Sequence, residues 1–112
     1  MKRIYVAGPY SAKDSRQTHL NVNEAISVGC KLMRKGYAPF IPHLCHYIWI
    51  HPEGDFEYDL WASYDMQWLK VCEALFMIKE SPGADRELDV AQKMGIPIYY
   101  RLEDVPDCAY TP

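Results

Sequence analysis

The alternation of short apolar runs with longer amphipathic ones constrains this chain more than any other feature. Arg3–Ala7 reads as a strand broken by Gly8-Pro9. From about Thr18 to Lys35 the apolar positions Ala25, Ile26, Gly29, Leu32 and Met33 recur at helical spacing, and Gly36 closes the helix. Ala38–Ile41 is a second strand, stopped by Pro42, and Tyr58–Glu73 a second amphipathic helix. Ala74–Ile78 reads as a central strand, Asp85–Lys93 as a helix capped by Gly95, and Ile96–Tyr100 as a last strand. Residues 42–58 form the least regular stretch, of the length expected for a binding loop or lid. The tail from Glu103 reads as irregular.

Strand–helix alternation predicts an α/β fold with a parallel sheet and crossover helices. The expectation is one domain over residues 1–112, a flavodoxin- or Rossmann-like three-layer sandwich with four to five parallel strands. Right-handed crossovers suggest the order 2-1-3-4. The order then reverses between the first and third strands, and ligands of open α/β sheets bind at the carboxyl ends there. The loops Gly8–Gln17 and Lys79–Asp85 must flank that crevice.

Charge narrows the partners. The formal net charge is −3 and no basic run exceeds a pair, so a nucleic-acid duplex is not an expected partner. No apolar run reaches membrane-spanning length and no signal peptide is evident, so the expected setting is the cytoplasm, away from membranes. Cys30, Cys45, Cys72 and Cys108 lack CxxC spacing and read as reduced thiols. A core this small would gain from association, and a homodimer or higher homo-oligomer is expected. His43, Cys45, His46 and His51 share one irregular loop without paired zinc spacing, so neither a metal nor another cofactor is expected.

Glu87 follows the crevice loop in the first turn of the predicted helix, where free amides and the helix dipole would keep it ionised. Such a carboxylate suits attack on an anomeric carbon, although acidic residues also simply decorate helix starts. Asp65 lies among Trp61, Tyr64 and Trp68, where desolvation would make it a proton donor; its spacing also permits a solvent-facing position. Gly8, Pro9 and Ser11 in the first loop, and Ser81 with Gly83 in the second, are candidate anion or sugar contacts, or plain turns. His43, directly after the second strand, is a candidate ligand contact. The aromatics Tyr47, Trp49, Phe56 and Trp61 suit base stacking or simply line the long loop.

Ile4-Tyr5-Val6-Ala7-Gly8-Pro9, Tyr64-Asp65 and Ser81-Pro82-Gly83-Ala84-Asp85-Arg86-Glu87, followed by Ala91 and Gly95-Ile96-Pro97, resemble the nucleoside 2-deoxyribosyltransferase-like superfamily over about residues 3–100. The resemblance implies a nucleoside or nucleotide substrate, Glu87 as nucleophile, Tyr5 as the residue positioning it, and Asp65 as the acid serving the base. Ala7-Gly8-Pro9 resembles the transferases acting on free nucleosides, whereas Ser81 resembles the hydrolases of 5′-monophosphates. In both branches a neighbouring subunit completes the site from beyond the last strand, a part that Cys108–Pro112, through Thr111, would have to play. A binding or sensing module that keeps the crevice without turnover is the competing expectation. A receiver-like signalling domain fits less well, because no acidic cluster follows the first strand and no phosphoacceptor Asp ends the third.

Overall fold

The structure is a computed structural model and describes residues 1–110. Its strands are β1 (Arg3–Ala7), β2 (Ala38–Phe40), β3 (Ala74–Met77) and β4 (Ile98–Tyr99). They form one four-stranded sheet, all parallel, in the order β2-β1-β3-β4. The α/β class and the expected 2-1-3-4 order therefore hold. In the register, Tyr5 of β1 stands between Phe40 of β2 and Leu75 of β3.

The helices are α1 (Ser15–Arg34), α2 (Cys45–Trp49), α3 (Tyr58–Leu69) and α4 (Pro82–Met94). α1 starts three residues before the expected Thr18, because the Asp14 carboxylate accepts from the Gln17 amide at 2.7 Å and caps the helix there. It ends with Gly36 at φ 96°, a left-handed conformation that glycine adopts without strain. The stretch expected to be irregular is partly helical: a 3-10 turn at Pro42–Leu44 runs into α2. α3 stops at Leu69, four residues short of expectation, and Glu73 is taken up by Arg3 through its amide and side chain.

Side chains of β1 alternate between two cores. Ile4 and Val6 join Ala25, Val28, Leu32, Ala74, Phe76 and Val105 beneath α1. Tyr5 and Ala7 join Leu69, Leu75, Met77, Ala84 and Ala91 beneath α3 and α4. The period-2 alternation of a strand makes this division, and helices on both faces make the three layers.

The tail is fastened at the amino ends of the strands. Tyr37 Oη donates to the Pro106 carbonyl at 2.8 Å, the Cys108 amide to the Lys35 carbonyl at 2.7 Å, and the amino terminus to the Ala109 carbonyl at 2.9 Å. The described part of the tail therefore lies away from its own carboxyl-end crevice; Thr111 falls outside the described residues. Among the described residues, no helix is long and apolar enough to cross a membrane.

Candidate active site

The crevice is built from β1 outward. Tyr5 is fully buried at the centre of β1, and its hydroxyl donates to Glu87 Oε2 across the sheet. Burial and the nearby Glu87 and Asp65 charges push the tyrosine far above its ordinary range, so it stays a neutral donor.

Glu87 corrects one expectation. Ser81 caps α4 by accepting from the Ala84 amide at 3.1 Å, and Pro82 is the first helical residue. Glu87 thus sits in the second turn, where the dipole has faded. Burial dominates and raises its carboxyl to about 7; the Tyr5 hydrogen bond opposes the shift, while Asp65 adds to it. The group is poised near neutrality rather than held ionised.

Asp65 lies on the inward side of α3, half-buried. Its Oδ1 is shielded from solvent and has no hydrogen-bond partner. Burial alone lifts this carboxyl to about 7. A buried, unpartnered acceptor is costly when charged, so the neutral acid is favoured. The sequence-predicted trio of Tyr5, Glu87 and Asp65 therefore shares one electrostatic environment, in which two carboxyls titrate near neutrality and one of them holds a tyrosine hydroxyl.

The loop residues divide. A Cβ on Gly8 would come within 3.0 Å of Ile78 Cβ, so glycine lets the ends of β1 and β3 close together. Pro9 is half-buried beside it, and Ser11 is exposed, with no bond linking it to Tyr5, Asp65 or Glu87 among the described residues. His43 was expected as a ligand contact. Instead it is 2 % exposed, and its Nε2 stands 3.0 Å from the Gly8 carbonyl. A carbonyl only accepts, so Nε2 carries the proton and Nδ1, which has no partner, is the lone-pair nitrogen. Burial holds this imidazole below its ordinary pKa, hence neutral. It acts as a strut between the Pro42–Leu44 turn and the first loop. Ser81 spends its hydroxyl oxygen on the cap, and Gly83 in the first turn of α4 leaves its Cβ side open.

Sequence reasoning missed two parts of this region. Phe40 packs on Tyr5 with ring centroids 5.5 Å apart and stacks on Trp68 at the same distance, forming a platform beside the nucleophile candidate. Its signal was present, since a bulky ring at the carboxyl end of an edge strand must face the crevice layer. The second is Tyr10, whose hydroxyl lies 3.0 Å from His46 Nδ1 and ties the first loop to α2; no spacing rule foretells it. With His43 on Gly8, His46 on Tyr10 and His51 accepting from the Glu53 amide, the loop histidines each have separate partners. Among the described residues no set of three or more His, Cys, Asp or Glu side chains converges for a metal.

No curated protein matches the chain. A family model described as a domain of unknown function (DUF7768) matches residues 2–101, nearly the whole of the sheet and its helices, and the chain belongs to that family.

Proposed function

We propose that this protein cleaves the N-glycosidic bond of a 2′-deoxynucleoside or its 5′-monophosphate, with Glu87 as nucleophile and Asp65 as general acid. The observation that carries the reading is the pairing of a tyrosine-bonded carboxyl, Glu87, with a nearby carboxyl left without a partner, Asp65. Two carboxyls in one site with different surroundings are the usual division into nucleophile and acid. The resemblance to nucleoside 2-deoxyribosyltransferase-like proteins supports the same assignment.

Tyr5 donates to Glu87 and so favours its ionised form, which leaves the proton on Asp65. As the bond from C1′ to the base nitrogen breaks, its electron pair leaves with the base and the Asp65 proton goes to that base. The Glu87 carboxylate bonds to C1′, giving a glycosyl ester. Water, losing its proton to Asp65, or a second base then attacks C1′ and frees Glu87. Atoms and charge balance over the cycle without a cofactor.

The test is a panel of nucleosides and 5′-monophosphates, with and without an acceptor base, read by chromatography. Free base from the wild type and none from Glu87→Ala is the expected result. Binding without base release by the wild type over long incubation would instead identify a nucleotide sensor and overturn the reading.

A further inference from the structure

α3 is apolar on two sides. One side, with Leu69, faces the core. The other carries Leu60, Tyr64, Trp68 and Val71, which recur at helical spacing yet are each 42–46 % exposed. A helix apolar on both sides is one that is covered on both sides.

The exposed flank is part of a longer ridge. Ring contacts run without a break from Phe40 to Trp68 at 5.5 Å, Trp68 to Tyr64 at 6.5 Å, Tyr64 to Trp61 at 5.4 Å and Trp61 to Phe56 at 5.9 Å. Of the seventeen large hydrophobic side chains exposed among the described residues, eleven lie between Leu44 and Val71. At aromatic and aliphatic side-chain areas this is roughly 1,000 Å² of apolar surface, more than a monomer ordinarily leaves bare and close to one partner's share of a stable interface.

We propose that this ridge is the contact between two copies of the chain, packed flank to flank along α3. Charge decides for a second copy over a different partner. Between Leu60 and Val71 the only charged residues are Asp65, turned inward, and Lys70, which lines a shallow depression with Ser63, Gln67 and Arg86 on the opposite flank. A flank without charge offers nothing to attract a charged partner and nothing to repel its own copy, and aromatic, charge-poor surfaces characterise self-association. The edge strand β2 ends at Phe40 beneath Trp68, so the partner also covers the open side of the sheet.

The contact bears on the crevice, and that consequence rests on the proposed reaction. Tyr64 adjoins Asp65, and Trp68 presses on Phe40, which packs on Tyr5. Covering the ridge therefore removes water beside the acid and holds the tyrosine that bonds Glu87.

Sedimentation velocity at rising concentration tests the proposal directly, without substrate. The wild type is expected as a dimer at about 10 μM, a concentration at which a standard-sized interface is occupied. Trp68→Glu and, separately, Leu60→Glu are expected to give monomers with unchanged far-UV circular dichroism; Leu60 lies outside the ring contacts and guards against a mere folding defect. A wild-type monomer at roughly 100 μM, or a dimer that survives both substitutions, overturns the proposal. Base release is then assayed on the same samples. A dimer without base release refutes the proposed reaction alone, whereas full base release from a monomer refutes the ridge contact alone.

Discussion

The two faces of the sheet are built on different terms. Beneath α1 the core is aliphatic and aromatic throughout, and its polar margins are satisfied: Tyr37 and Lys35 both bond to carbonyls of the tail. Beneath α3 and α4 the core keeps small residues, Ala7, Ala84 and Ala91, and admits Tyr5, Glu87 and the unpartnered Asp65. One face is packed for stability. The other gives up stability to hold two carboxyls away from water, which is where strain of this kind belongs in a catalytic fold.

The largest contrast should come from removing the nucleophile candidate. Glu87→Ala is expected to lower base release by about 10³-fold or more while leaving the thermal midpoint unchanged or higher. A variant that turns over at the parent rate would break the assignment. On the other face, Leu32→Ala removes a fully buried side chain and should cost about 3 kcal/mol, seen as a lower urea midpoint with no change in the pH profile of turnover.

Tyr5→Phe separates positioning from packing. It deletes the hydrogen bond that holds the Glu87 carboxyl down, so that pKa rises and the acid limb of the rate profile moves upward by about one unit, with rate reduced roughly tenfold at neutral pH. An unmoved acid limb would show that the tyrosine only fills space.

Asp65→Asn probes the cost of the chemical face. Because folding raises this carboxyl from the ordinary range to about 7, the folded state binds the extra proton. The stability linked to it is fully present below about pH 4 and lost as pH rises through about 7. The wild type should therefore melt lower at pH 8 than at pH 5. Asn should recover about 1–2 kcal/mol at pH 8, a figure reduced because solvent partly reaches the group, and nothing at pH 4. Equal melting curves at pH 8 would sink this account. The smallest effect belongs to Asp14→Ala, which removes the α1 cap on the stable face and should cost about 1 kcal/mol by chemical denaturation, with turnover unaffected.

Much of this was legible in the chain itself. Element order and the 2-1-3-4 sheet follow from apolar periodicity, glycine and proline breakers and the handedness of crossovers, all of which are local or generic. Glu87 was also within reach, because it follows the loop that the switch point exposes. Element ends were less legible. α1 and α4 both begin earlier than their periodicity suggests, at the caps Asp14 and Ser81, since a cap acts through one side-chain hydrogen bond that leaves no repeating pattern.

Tertiary structure alone decided the state of the groups. Helical spacing could not say which way Asp65 faces; packing of α3 on the sheet turned it inward and left Oδ1 alone. His43 became a strut because β2 delivers it to the Gly8 carbonyl. The protonation of Glu87 was misjudged from its place near a helix start, since burial under α3 and the presence of Asp65 outweigh the dipole. Identity and spacing are written along the chain, so the sequence determined which residues were available and on which elements they ride. Desolvation and partnership depend on residues as distant as Tyr5 and Glu87, and only the folded chain brings them together.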